Sequence, residues 1–174
     1  MTELLEATCL DPQGSVHRIG DICASQPTVF AFVRHFGCIF CRERISELKS
    51  VLPEIEALGA QAVVVGCGTA LMAEDFVENF GIDLPVYTDP SREVFRLAGM
   101  KRKIGLGFAT IVGAIRAAKT GARQGKTQGD PWQQGGVLVL GKDGTLLHRT
   151  VDNTAGDAID FGAVVEALGG VKAA

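Results

Sequence analysis

No apolar run in this 174-residue sequence approaches the length needed to cross a bilayer. The amino end, MTELLEATCLD, has neither a cationic start nor a long apolar segment, so it does not read as a secretory signal. A cytoplasmic chain with no membrane partner is therefore expected. Charge of one sign is scarce too: the formal net charge of −3 makes no electrostatic case for a nucleic-acid partner. Cysteines number five, an odd count that excludes complete structural pairing, and in a reducing compartment they are not a disulfide framework. Internal repeats and domain-splitting linkers are also lacking. A single domain over 1–174, large enough to bury a sizeable core, is the expectation.

The stretch Thr28 to Leu58 organises the rest. It opens with Val29-Phe30-Ala31-Phe32-Val33, a short run of β-branched and aromatic residues after Pro27 that reads as a buried strand. It closes with Ile45, Leu48, Leu52, Ile55 and Leu58 at three- and four-residue steps, the period of an amphipathic helix. Gly37-Cys38-Ile39-Phe40-Cys41 lies at the junction, with Cys38 near the first helical turn. Unpaired amides and the positive pole of the dipole at a helix start favour thiolate over thiol. Arg34, His35, Arg42 and Arg44 flank the pair and are expected to act in the same direction.

On either side of this unit the pattern is regular. Leu4 to Leu10 and Val16 to Ile19, around Asp11-Pro12-Gln13-Gly14, predict an amino-terminal hairpin. Gln61 to Gly66 predicts a second buried strand. A helix over Ala70 to Phe80 follows, with Leu71, Phe76, Val77 and Phe80 on one side and Gly81 as its C-cap. Pro85 to Thr88 reads as a third strand and Asp89 to Leu97 as the start and body of a short helix. The stretch 98–130 reads as a helical or loop insertion, with a helix over about Phe108 to Lys119 interrupted by glycine. Its basic residues (Lys101, Arg102, Lys103, Arg116, Lys119, Arg123 and Lys126) read first as solvated surface and second as an edge facing an anionic ligand or lipid. Gly136 to Leu140 and Thr145 to Val151 form a second hairpin around Lys142-Asp143-Gly144, and a helix over Ala158 to Leu168, stopped by Gly169, closes the chain. The expected fold is α/β: a mixed β-sheet flanked by helices on both faces, with an amino-terminal hairpin and a helical insertion.

Two cysteines spaced C-x-x-C serve either as a redox pair or as half of a metal site. Cys9, Cys23, Cys67 and three scattered histidines supply no second close pair, so zinc is the weaker reading and no metal site is expected. A helical C-x-x-C brings two sulfurs within bonding reach after modest adjustment, and the βαβ setting favours redox chemistry. Cys9, Cys23 and Cys67 read as buried small residues or bystander thiols.

The run Phe32-Val33-Arg34-His35-Phe36-Gly37-Cys38-Ile39-Phe40-Cys41-Arg42-Glu43 resembles the active-site stretch of the peroxiredoxin-like AhpC/TSA-type proteins, a group that includes a prostamide/prostaglandin F synthase branch. Gln133 to Leu140, followed by Gly156-Asp157, is similar to that group's later segments, and the likeness runs over about Val16 to Leu168. The resemblance implies a thioredoxin-like fold and thiol-dependent reduction of peroxides or related oxidised substrates without a bound cofactor. It also implies a thiol electron donor of the thioredoxin or glutathione type.

The sequence departs from the patterns of both families. A typical peroxiredoxin carries threonine three residues before its attacking cysteine; here that position is Cys38 if Cys41 attacks, and His35 if Cys38 does. A typical thioredoxin has Trp before the pair and Gly-Pro within it, where this chain has Gly37 and Ile39-Phe40. The helix start favours Cys38 as nucleophile and Cys41 as resolving thiol, while the peroxiredoxin alignment reverses them. Arg42 is a candidate to hold the thiolate or a peroxide oxygen, its alternative being a solvated arginine. Gln134 and Gly135 are candidates to line the site opposite the cysteines, their alternative being a loop before a strand. His35 reads as a hydrogen-bonded strand-end histidine before it reads as a proton carrier. Alternatives to a peroxidase are a protein disulfide reductase, a binding or redox-sensing module, and an enzyme for a bulky natural product. A homodimer contact through the insertion stays open.

Overall fold

The computed structural model describes residues 1–36, 39–102, 129–153 and 157–172. The helix expected over Phe108 to Lys119 lies outside them. Seven strands form one sheet, β1 (Thr8–Leu10), β2 (Val16–Arg18), β3 (Thr28–Phe32), β4 (Gln61–Gly66), β5 (Val86–Thr88), β6 (Gly136–Leu140) and β7 (Leu146–Val151). Their order across the sheet is β2-β1-β5-β4-β3-β6-β7. The helices among the described residues are α1 (Thr2–Glu6), α2 (Ile19–Cys23), α3 (Ile39–Ala57), α4 (Ala70–Phe80), α5 (Glu93–Leu97) and α6 (Phe161–Lys172).

The central strand is β3. It runs parallel to β4, with Phe32 opposite Val65, and antiparallel to β6, with Phe32 opposite Gly136. Every residue of β3 is buried, as its unbroken apolar run requires of a strand covered on both faces. Successive side chains point to opposite faces. Val29, Ala31 and Val33 pack with Ile45, Leu48 and Ile55 of α3, Phe76 of α4 and Val164 of α6. Phe30 and Phe32 pack on the other side with Leu4, Ile19, Ile22, Val94 and Phe95, from α1, α2 and α5. Two cores therefore share one sheet, and the expectation of helices on both faces holds.

Three boundaries differ from the sequence expectation. Leu4 belongs to α1, not to the first hairpin strand, which starts at Thr8. An apolar residue is as well buried from a helix lying on the sheet as from the sheet, so its hydropathy does not choose. Ile19 starts α2, not the end of the second hairpin strand. The last helix begins at Phe161, where the Asp160 carboxylate accepts the Ala163 amide, and runs through Gly169 and Gly170 to Lys172. By contrast α4 ends where expected: Gly81 adopts a left-handed φ of 56° and its amide reaches the Val77 carbonyl. Leu71, however, is two-thirds exposed, and the buried face of α4 is Ala73 and Phe76.

Gly66, the last residue of β4, touches the segment that leads to the cysteines. A Cβ there would lie 2.3 Å from Phe36 Cζ and 2.5 Å from its Cε1. Phe36 is itself fully buried and packs against Phe76 at 5.1 Å between ring centroids. Gly66→Ala is therefore expected to cost about 1–3 kcal/mol by overpacking. Urea unfolding would read this, and an unchanged midpoint would mean that the Phe36 ring yields freely.

Candidate active site

The carboxyl ends of β3, β4, β5 and β7 meet the amino end of β6 at one edge of the sheet. Open α/β sheets place their ligand crevices outside such strand ends. The chain leaves β3 there through Val33, Arg34, His35 and Phe36, and α3 begins at Ile39. Cys41 sits in the first turn of α3, 3% exposed and packed in the core with Ile45 and Phe36. Cys38 immediately precedes α3 in sequence, and its placement lies outside the described residues.

The flanking basic residues do not act as one charge cluster. Arg44 is buried: its Nη1 donates to the Phe32 carbonyl at 3.0 Å, and its Nη2 to Asp152 Oδ2 at 2.7 Å. The pair ties α3 to the ends of β3 and β7. Burial pushes the Asp152 carboxyl above its usual range, and the Arg44 charge opposes this only in part. Arg34 donates Nε to the Gln133 carbonyl at 3.1 Å and Nη2 to the Pro131 carbonyl. It thereby clamps the segment that crosses the strand ends. The Arg42 guanidinium lies over the Phe80 ring, 3.7 Å from its centroid, which places it against α4.

His35 is 4% exposed, and its Nδ1 is buried without a hydrogen-bond partner among the described residues. Burial first, and the Arg34 charge second, push its pKa down to about 4, against a smaller upward pull from Asp130. It is a neutral imidazole near pH 7 and adds no positive charge beside the cysteines, contrary to the sequence expectation. Because the folded value lies below the unfolded one, about 6.5, His35 contributes stability that is complete above pH 6.5. That stability is lost as pH falls toward 4. Between about pH 7 and 5 the loss is roughly 2 kcal/mol. Urea unfolding at the two pH values should show this slope in the wild type and a flatter one in His35→Phe; equal slopes would reject a buried neutral histidine.

The segment 129–135 closes the edge. Gly129 bridges His35, and the Asp130 amide donates to Cys67 Sγ at 3.2 Å, while that thiol donates to the Arg34 carbonyl at 2.8 Å. Gly129 has a φ of 124°, and a Cβ there would lie 3.1 Å from both Cys67 Sγ and His35 Cβ. Gln134, expected to face substrate, is buried: its amide nitrogen donates to the Asp152 carbonyl, and its Oε1 accepts the Lys101 amide at 2.8 Å. Gly135 is packed tightly, since a Cβ there would lie 2.6 Å from Arg44 Nη1 and from the Phe32 carbonyl oxygen. These two residues hold the Arg44–Asp152 pair in place.

The remaining thiols are buried. Cys9, Cys23 and Cys67 are each 5% exposed or less, and burial pushes all three up, Cys9 to about 12. Such thiols are poor nucleophiles. Among the described residues no group of three or more His, Cys, Asp or Glu could hold a metal ion, and no helix is long and apolar enough to cross a membrane. The sequence reading missed Asp130, Asp152 and the buried role of Arg44. Their neighbours in sequence include polar or charged residues, so no local signal marks them out as buried or paired.

Residues 47–153 match the family of AhpC/TSA antioxidant enzymes. Peroxiredoxin-like 2C of Mus musculus is 32% identical over 162 residues, which cover 83% of this chain and 70% of the relative. Prostamide/prostaglandin F synthase of Salmo salar is 31% identical over 151 residues, covering 82% of this chain and 74% of the relative. The crystal structure of peroxidoxin BcpB from Mycobacterium tuberculosis superposes with a TM-score of 0.66 at 18% identity, covering 96% of this chain and 92% of that one. The fold is thus the thioredoxin-like fold of the peroxiredoxins, as the resemblance implied. With its cysteine-bearing helix start at the end of the central strand and more than half its length matched, the chain belongs to the AhpC/TSA antioxidant enzyme family.

Proposed function

We propose that the chain is a thiol-dependent peroxidase working through Cys38 and Cys41. The Cys38 thiolate attacks one peroxide oxygen, the O–O bond breaks, and the alkoxide or hydroxide leaves with a proton as alcohol or water. Cys38 becomes a sulfenic acid. The Cys41 thiol then attacks that sulfur, water leaves, and an intramolecular disulfide forms. An external dithiol or two glutathione-type thiols restore both cysteines by thiol–disulfide exchange. No step requires a bound cofactor.

The observation that carries this reading is the burial of Cys41 in the first turn of α3, in a chain of this family. A sulfur sunk in the core suits a resolving thiol, and a cysteine one turn earlier, before the helix, suits the attacking one. Family membership supports a thiol peroxidase-type activity in general; the Cys38–Cys41 pairing and the substrate are the finer part of the proposal. Arg42 is retained as a substrate contact from α3, whereas Gln134 and Gly135 act by positioning the strand ends.

A second reading, disulfide reduction by the same pair, draws on the lack of a threonine three residues before either cysteine, a hydroxyl that would help hold a peroxide. Mass spectrometry of the pair after a stoichiometric dose of hydrogen peroxide, cumene hydroperoxide or a model disulfide separates the two. Rapid disulfide formation with a peroxide supports the peroxidase. Oxidation by the disulfide alone selects the reductase, and no reaction above that of an unactivated thiol rejects both.

A further inference from the structure

The segment that crosses the strand ends has a loosely held half and a firm half. Gly129, Asp130, Pro131 and Trp132 are half-buried, whereas Gln133 and Gln134 are buried, and Gln134 is tied to Lys101 through its amide and its side chain. The first half holds its own shape. The Asp130 carboxylate accepts the Trp132 amide at 2.9 Å, and the Gln133 amide returns to the Asp130 carbonyl at 3.2 Å. Such a turn can lift as a unit on the buried residues that follow it. Among the described residues its polar ties are the Asp130 amide on Cys67 Sγ, the Pro131 carbonyl on Arg34, and Asp130 Oδ2 shared by Arg92 Nη1 and Arg102 Nε. The two arginine side chains are 41% and 49% exposed, so solvent screens these ion pairs and they hold the turn only weakly.

Two buried side chains lie directly beneath it. A Cβ on Gly129 would stand 3.1 Å from both His35 Cβ and Cys67 Sγ, and the Gly129 backbone bridges His35. The His35 Nδ1 is sealed in without a hydrogen-bond partner among the described residues. The titratable and charged groups around this imidazole are Arg34 beside it in the chain, Asp130 above it, Cys67 next to Gly129 and, through Asp130, Arg92 and Arg102. Burial and the Arg34 charge oppose an imidazolium there, and the pull of Asp130 is smaller. Asp130 itself does not respond in mild acid. Burial works against its charge, yet the Trp132 amide and the Arg102 and Arg92 guanidiniums together hold its carboxyl below the ordinary value. Burial keeps the Cys67 thiol protonated.

We infer that Gly129–Trp132 is an acid-released latch: protonation of His35 lifts it and uncovers the Cys67 thiol, which is covered at neutral pH. A cation shut in against Arg34 is stabilised by admitting water, and lifting the turn admits it for the loss of one backbone clamp, one thiol contact and two screened ion pairs. The rest of the sheet stays paired. His35 has a value of about 4 in the closed form and about 6.5 once solvated, so closure is fully favoured above pH 6.5 and weakens as pH falls toward 4. Between pH 7 and 5 the opening equilibrium shifts by about 10–30-fold. The latch operates whatever the substrate of the reactive pair, and so is independent of the peroxidase reading.

The test is the labelling rate of Cys67 by 4,4′-dithiodipyridine, a thiol reagent that works in acid, located by peptide mass spectrometry in the whole chain. Each rate is divided by that of glutathione in the same buffer. The normalised Cys67 rate should rise about 10–30-fold from pH 7 to pH 5. Low urea should change it little, because lifting four residues exposes little surface. Cys9, buried in β1, reports opening of the sheet itself, and its labelling should be slower and rise steeply with urea. His35→Phe should abolish the acid acceleration at Cys67, and His35→Gln, polar but not titratable, should do the same if the phenylalanine variant fails to fold. An acceleration below about threefold would overturn the inference. So would an undiminished acceleration in either folded His35 variant, or a urea dependence at Cys67 as steep as at Cys9, which would mean that the thiol is reached only by unfolding of the whole domain.

Discussion

Replacing Cys38 with serine is expected to abolish peroxide-driven disulfide formation and to lower turnover with a thiol donor on the order of 10³-fold or more, the scale on which loss of a covalent nucleophile registers. A serine hydroxyl in the same place is not ionised at neutral pH and gives no comparable nucleophile. Cys41→Ser should behave differently. Cys41 is 3% exposed and packed with Ile45 and Phe36, so its loss leaves the first attack and removes only the resolution. That variant should consume a single equivalent of peroxide and accumulate a Cys38 sulfenic acid that dimedone traps. The two variants also decide the order of events. If Cys41→Ser abolishes peroxide consumption while Cys38→Ser forms a trappable sulfenic acid, the roles are reversed, as the peroxiredoxin alignment would have them. The buried thiols provide the internal control: burial holds Cys9, Cys23 and Cys67 protonated, so none should be labelled at the rate of the pair.

Arg44→Met is expected to destabilise the fold by about 3–5 kcal/mol, because it leaves the Asp152 carboxylate buried without its counter-charge. The Phe32 carbonyl at the end of β3 loses its donor as well. Asp152→Leu should cost a similar amount by stranding the guanidinium. The double variant Arg44→Met/Asp152→Leu removes both charges, so it should be more stable than the sum of the single losses by roughly 2 kcal/mol or more. Urea unfolding of the four proteins closes the cycle. Single losses within about 1 kcal/mol of wild type would mean that water enters and solvates the pair, as it does at exposed ion pairs. Since Arg44 lies one turn beyond Cys41, the single variants should also slow disulfide formation by loosening the start of α3; a stability loss without a kinetic one would confine the pair to structure.

Much of this architecture is legible in one dimension because its signals are local. A five-residue apolar run is buried on both faces wherever it folds, and Thr28–Phe32 is the central strand. A three- and four-residue period makes a helix that buries Ile45, Leu48 and Ile55. Gly81 ends α4 because a left-handed residue costs glycine little. Where two local solutions bury the same residue, as for Leu4, periodicity over so short a stretch does not choose between them. The reading of Ala158 to Leu168 passed over one local mark, the Asp160 N-cap whose carboxylate accepts the Ala163 amide and starts the helix at Phe161.

What this chain establishes by sequence alone is its sheet-and-helix succession, the C-x-x-C at a helix start and, through that stretch, its family. Each follows from neighbours within a few residues, where propensity, periodicity and spacing act. Only the tertiary structure decided how charge is distributed at the site. The Arg44–Asp152 pair spans 108 positions and Arg102–Asp130 spans 28, so no spacing rule joins them. The same holds for His35, which by residue type is a cation in mild acid and by burial is neutral down to about pH 4. Desolvation and long-range pairing depend on what the fold brings alongside a residue, and that is why flanking arginines and a histidine that look alike in sequence become a buried tie, a backbone clamp, a ring-stacked cation and a neutral base.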